Sequence, residues 1–217
     1  MRGDTGKLKE IAAYKKKIDF TFLVDDAHGI GVMGETGAGT GEAQGVQDDI
    51  DLYFATFAKS FAAIGAFVSG KKEIIQFLRY NMRSQIYAKA LPMPLVYGLH
   101  QRLTLIQTKP ELREKLWNIT QALQKGLTES GMSIGNTETP VTPIYLEGSI
   151  KQATALVQDL REQHDIFCSM VVYPVVPHGI IILRLIPTAN HSLTQVDRTV
   201  EIFKQIKHNL IAGKYDQ

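Results

Sequence analysis

The chain has 217 residues, 44% of them hydrophobic and 21% charged, which is enough apolar content to bury a core in one or two domains. Its 24 basic and 22 acidic residues leave a formal net charge of +2, scattered apart from Lys15, Lys16 and Lys17, so nothing asks for a nucleic-acid partner. A single cysteine, Cys168, excludes an internal disulfide and fits a reducing cytoplasm, and the longest apolar run, residues 179–183, is far too short to be a transmembrane segment.

Residues 7–17 place Leu8, Ile11, Ala12 and Tyr14 at roughly helical spacing, and Phe20, Phe22, Leu23 and Val24 read as a buried strand, so the chain opens on an αβ unit. That strand delivers Asp25, Asp26 and His28 to its C-terminal end, where open α/β sheets place their ligands. Residues 29–45 hold seven glycines, which predicts a loop of close turns; after an aspartate and a histidine at a strand end, it is expected to shape the site.

Residues 53–57 read as a second strand, and Lys59 follows it in the company of Phe57, Ala58, Phe61, Ala62 and Ala63. An ammonium is costly to remove from water, so a lysine in apolar surroundings should be paired, shifted in pKa, or condensed with a carbonyl. A carboxylate at one strand end and a lysine at the next suggest pyridoxal phosphate (PLP): the lysine holds the aldehyde, and the aspartate keeps the pyridine nitrogen protonated.

Residues 64–68 read as a further strand, and residues 71–82 as a helix carrying Ile74, Ile75, Phe77 and Leu78. Another helix runs from Pro94 to Ile106, and Pro110 starts the next, whose Leu112, Leu116, Ile119 and Leu123 keep one apolar stripe. A domain boundary near Thr108 divides the chain into residues 1–108 and 109–217. The second part reads as a small α+β domain, with strands at 141–146, 167–172 and 180–186 and helices at 150–163 and 193–210.

Each of these residues also has a plainer reading. Asp25 and Asp26 suit the cap of a turn, and the Asp-Asp-Ala-His run supplies too few ligands for a metal, so none is expected. Lys59 alone suits a surface lysine with its stem laid along apolar neighbours. Thr56 suits an ordinary β-branched strand position. Arg184 lies in the apolar run IIILRLIP, where an unpaired guanidinium is costly; it needs a carboxylate partner, which a structural salt bridge would also supply. His191 belongs to the start of the last helix. The run GAFVSGKK nearly spells a phosphate-binding loop, but Lys72 stands where a hydroxyl should hold magnesium and Ala-Phe-Val reads as strand, so nucleotide binding is disfavoured.

The runs VDDAHGIGVMGETGAGTGE and FATFAKSFAAIGAFVSG resemble the cofactor core of the α-oxoamine synthases, fold-type-I PLP enzymes that join an amino acid to an acyl-CoA with loss of carbon dioxide. YPVVPHGIIILRLIPTANH is similar to that family's substrate-carboxylate segment. YNMRSQIYAKALPMP and LRLIPT resemble bacterial serine palmitoyltransferases more than glycine C-acetyltransferases or 8-amino-7-oxononanoate synthases. The resemblance implies the C-terminal part of an aminotransferase-like large domain followed by a small α+β domain. The family's N-terminal half, with its phosphate-holding glycine turn and ring-stacking histidine, has no counterpart in this sequence, which leaves a noncatalytic, partner-binding piece as the competing expectation.

By the same resemblance Lys59 holds PLP and acts as base, Asp25 partners the pyridine nitrogen, His28 bonds the ring oxygen, and Thr56 bonds the phosphate. Arg184 grips the carboxylate of the amino acid. Where many relatives carry hydroxyl residues for the neighbouring subunit's phosphate, this sequence has Ala88-Lys89-Ala90, so Lys89 is a candidate phosphate ligand, with Arg83 nearby read as a helix-end charge. The implied reaction condenses L-serine with palmitoyl-CoA to 3-ketosphinganine in sphingolipid biosynthesis, in a homodimer with active sites at the subunit interface.

Overall fold

A computed structural model describes residues 2–215. The chain packs as two compact units, one of Gly6–Arg113 and one of Met1–Thr5 with Glu114–Gln217.

The Gly6–Arg113 unit begins with helix α1 (Leu8–Tyr14) and strand β1 (Leu23–Asp25). Helix α2 (Thr40–Ala43), strands β2 (Leu52–Thr56) and β3 (Ala66–Gly70), and helices α3 (Lys72–Asn81) and α4 (Met93–Thr108) follow. The sheet order is β1-β2-β3, with β1 parallel and β3 antiparallel to β2. Strand β1 starts later than the apolar run suggests. The Asp51 carboxylate accepts the Phe22 N–H at 2.7 Å while Asp51 N and Leu52 N donate to Phe22 O, so this backbone is held from the side before regular pairing begins.

The run is also not buried throughout. Phe22 and Val24 pack with Leu8, Ala12 and Val46, whereas Leu23 is 56% exposed, as the alternation of side chains across a strand requires when only one face of the sheet is covered. The stretch read as a loop over residues 29–45 contains α2. Much of it is covered: Gly29, Met33, Gly37, Gly39 and Thr40 are buried. It is a packed part of the unit.

In the other unit, helix α5 (Pro110–Glu129), most of which belongs here, leads to β4 (Thr142–Leu146), α6 (Ile150–His164), β5 (Ser169–Val171), β6 (Ile181–Leu185) and α7 (Leu193–Ile211). The sheet is antiparallel in the order β4-β6-β5. Ile144 and Leu183 of the sheet, Leu127 of α5, Leu156 and Leu160 of α6 and Phe203 of α7 are fully buried in one core. Each such side chain contributes roughly 1.5–3 kcal/mol by leaving water. Ser149 and Ser192 start α6 and α7 with full capping boxes, their hydroxyls accepting the N–H of Gln152 and Gln195 while those side chains reach back. Gly126 lets α7 approach α5 closely, since a methyl group there would lie 2.6 Å from Val200.

Candidate active site

Strand register assembles the centre of the candidate site. Asp25 ends β1 and pairs with Phe54 in β2; Thr56 lies two residues further along β2, so Asp25 and Thr56 project from the same face of the sheet. This is the face on which Leu23 is exposed. The Asp25 carboxylate accepts the Ala27 N–H at 3.1 Å, which bends the chain after β1 and brings His28 into the turn at the strand end, where it is exposed.

Thr56 begins the turn that carries Lys59. Its hydroxyl donates to Gly65 O at 3.1 Å and accepts the Ala58 N–H at 3.2 Å, while Ala62 N donates to Lys59 O and Ala63 N to Phe57 O. Phe61 is buried, and Phe57 lies between Phe61 and the stacked ring of Phe67. The rings of Phe57 and Phe61 thus turn inward, while Ala58 and Ala62 stay exposed with the lysine. Lys59 is exposed, which corrects the expectation of a desolvated ammonium: neighbours in sequence are not neighbours in space across a tight turn.

Lys89 is also exposed, in an irregular segment between α3 and α4. Two residues on, Leu91 closes on the Thr56 turn, its Cδ1 standing 3.1 Å from the place a methyl group would occupy at Gly65. Arg184 belongs to the other unit. It is half-buried on β6, opposite Ser169 of β5, and its Nε donates to Ser169 Oγ at 3.3 Å. Ser169 was not evident as a site neighbour in the sequence, because only the β5-β6 register pairs it with Arg184. His191 precedes the cap of α7 and accepts the Thr188 N–H through Nδ1 at 2.9 Å.

A second group was also not evident. Asp26, only 5% exposed, points to the opposite face from Asp25 and accepts Thr40 N at 2.7 Å, Thr40 Oγ1 at 2.6 Å and the Tyr53 hydroxyl at 2.8 Å. Burial, and then the charge and bond of Asp26, push the Tyr53 phenol well above its usual range, so it remains a donor. Glu42 accepts the N–H groups of Thr36 and Ala38; burial opposes its ionisation, but these bonds and the Arg113 charge outweigh it and hold the carboxyl below its ordinary value. Two carboxylates, Asp26 before them and Glu42 after them in sequence, therefore pin residues 36–40 of the glycine-rich segment. Among the described residues no group of histidine, cysteine and carboxylate side chains could hold a metal ion.

The family model for class I and II aminotransferases matches residues 4–203. The chain belongs to that family.

Within it the relatives are α-oxoamine synthases, fold-type-I enzymes that use PLP. The cysteate-C-fatty acyltransferase of Capnocytophaga ochracea is 57% identical over 215 residues, which are 99% of this chain and 51% of that protein. The serine palmitoyltransferase of Sphingobacterium spiritivorum is 35% identical over 94% of this chain and 52% of its own length. Among solved structures, the serine palmitoyltransferase of Sphingomonas wittichii superposes with a TM-score of 0.88 at 30% identity, over 94% of this chain and 51% of that one. A high-resolution serine palmitoyltransferase described with bound PLP gives 0.88 at 31% identity, over 94% and 52%. The chain spans about half the length of the curated relatives it matches, their C-terminal part.

The open face fits PLP in kind. The end of this parallel strand pair carries the kinds of group PLP needs: the Asp25 carboxylate, the Thr56 hydroxyl, whose proton would have to turn from Gly65 O to a phosphate, and, in the following turn, the exposed Lys59 amine.

Proposed function

We propose that this chain carries the C-terminal half of a PLP-dependent acyltransferase of the α-oxoamine synthase type, acting on an amino acid and a fatty acyl thioester. The observation that carries this reading is the register that sets Asp25 and Thr56 on one open face, with Lys59 in the turn that Thr56 begins. Bound PLP supplies an electron sink that lets the α-carbon of the amino acid act as a nucleophile.

In this reading Lys59 would hold the cofactor through its aldehyde and, once displaced by the amine of the amino acid, would be the amine free to take and return the α-proton. Asp25 would keep the pyridine nitrogen protonated, His28 would donate to the ring oxygen, and Thr56 and Lys89 would bind phosphate. Arg184 fixes the carboxylate of the amino acid with its planar fork of donors. The α-carbon forms a bond to the thioester carbonyl carbon, the thiolate leaves and takes up a proton, and the carboxylate departs as carbon dioxide. The partner is a second copy of the protein.

The amino acid we favour is cysteate, supported by 57% identity to the Capnocytophaga enzyme against 35% to the serine palmitoyltransferases. L-serine with palmitoyl-CoA is the second reading, supported by the 0.88 TM-scores.

The test is PLP titration followed by borohydride reduction and peptide mapping, with Lys59→Ala alongside. A single reduced adduct at Lys59 is expected; label scattered over surface lysines overturns the assignment. With the cofactor in place, cysteate and L-serine are then compared by the spectral change each induces, and a response to serine alone reverses our choice of amino acid.

A further inference from the structure

We propose that Asp26 and Tyr53 form a positioning pair, which fixes the direction of the Asp25–His28 turn from beneath the sheet and so sets the proton-holding geometry of Asp25; this rests on the reading of Asp25 as the pyridine partner.

Adjacent residues of a strand point to opposite faces. Whatever orients Asp26 therefore orients Asp25 in the opposite sense. Asp26 is held on every side: its N–H donates to Phe54 O at 2.8 Å, its carbonyl accepts Gly29 N at 3.0 Å and Ile30 N at 3.2 Å, and its carboxylate accepts three donors. The Tyr53 hydroxyl also reaches Ala38 O at 3.2 Å, joining β2 to the glycine-rich segment through the same point.

The packing leaves the carboxylate little room to move. A methyl group at Gly29 would come 2.1 Å from Asp26 Oδ1, and one at Gly39 would come 2.1 Å from Oδ2 and 2.5 Å from the Tyr53 oxygen. Gly39 also has φ of +115°, a conformation open to glycine at little strain. Such contacts serve rigidity, since a buried carboxyl group that loses its hydrogen-bond donors is destabilising.

The arrangement extends to the lysine turn. At Gly31 a methyl group would come 3.0 Å from Ser60 Cβ, so the segment pinned by Asp26 rests against the residue next to Lys59. One buried carboxylate thereby links the strand end that bears Asp25 to the turn that bears Lys59. Asp26 and Tyr53 touch no reacting atom in this account; they act through their neighbours.

The experiment compares Tyr53→Phe and Asp26→Asn with Leu8→Ala, a core substitution in the same unit away from the turn, in the whole 217-residue chain. The first readout needs no cofactor: amide hydrogen exchange of Ala27, Gly29 and Thr40. In Tyr53→Phe these amides should exchange about tenfold faster than in the parent, while amides of α1 stay unchanged. Leu8→Ala should show the reverse pattern. The second readout is the pH midpoint of the visible band of the unreduced PLP adduct at Lys59, which should shift in Tyr53→Phe and not in Leu8→Ala. Equal exchange at the turn in Tyr53→Phe and the parent overturns the proposal, as does an equal spectral shift in Leu8→Ala. If the parent chain forms no adduct at Lys59, the PLP reading fails, and the exchange pattern alone still decides whether the pair holds the turn. Should Asp26→Asn fail to fold, Tyr53→Phe, which removes one hydroxyl, carries the test.

Discussion

The Glu42 carboxylate accepts the Ala38 N–H at 2.9 Å. It also takes the Thr36 N–H at 3.0 Å, and Gly34 approaches it so closely that a methyl group there would lie 2.0 Å from Oε2. The turn over residues 34–38 is therefore built around one side chain. Glu42→Ala should destabilise the protein by about 1–3 kcal/mol, the usual cost of leaving such donors without their acceptor. Urea unfolding measures the loss, and limited proteolysis should show new cleavage within residues 34–38. Glu42→Gln, which keeps one acceptor oxygen, should lie between the two.

Three carboxylates give the stability a definite pH dependence. Asp51 is held below its ordinary value chiefly by the Lys15 ammonium at 2.6 Å and then by the Phe22 N–H. For Asp159, burial opposes ionisation but is outweighed by the bonds from Tyr215 and Lys214, and Glu42 behaves similarly. A carboxylate depressed in the folded state binds fewer protons there than in the unfolded chain. Its contribution is thus fully present above the ordinary carboxylate range and is lost as pH falls through the lower, folded value. The melting temperature should be level from neutral pH down to about 5 and fall below about 4. Asp51→Asn should lower it at pH 7 and flatten the acid limb.

Much of this architecture was legible because its signals are periodic. The apolar stripe that includes Ile119 and Leu123 marks α5, and the apolar run 180–186 encloses β6. What was not legible depends on which face a residue takes. Leu23 and Val24 look alike in sequence, yet only Val24 has a covered side to face. Lys59 looks surrounded because Phe57 and Phe61 flank it, but the tight turn sends those rings inward and the amine outward. The Asp26 bonds to Thr40 and Tyr53 join residues far apart in the chain, and the Arg184 contact to Ser169 needs the β5-β6 register.

The core of the Glu114–Gln217 unit can be probed by itself, because the chain's single tryptophan, Trp117, belongs to it. Leu156 is fully buried between helix and sheet. Leu156→Ala should cost about 2–5 kcal/mol, through lost burial and the cavity left behind. The transition followed by Trp117 fluorescence should move to lower urea accordingly. An unchanged midpoint would mean that this core relaxes to fill the space or contributes little to the unit's stability.

Arg184 and Ser169 offer a finer test of the proposed grip on the amino-acid carboxylate. The Ser169 hydroxyl accepts the Arg184 Nε–H, a bond that orients the plane of the guanidinium on β6. Arg184→Lys keeps the charge but loses the planar fork, so amino-acid binding should weaken by roughly tenfold or more, read from the spectral response of the PLP adduct to added amino acid. Ser169→Ala keeps the fork and removes one bond that orients it, so the loss should be smaller, about threefold to tenfold. Both variants should melt close to the parent temperature. Equal affinity in Arg184→Lys and the parent would remove Arg184 from substrate binding and leave it a role in pairing β5 with β6.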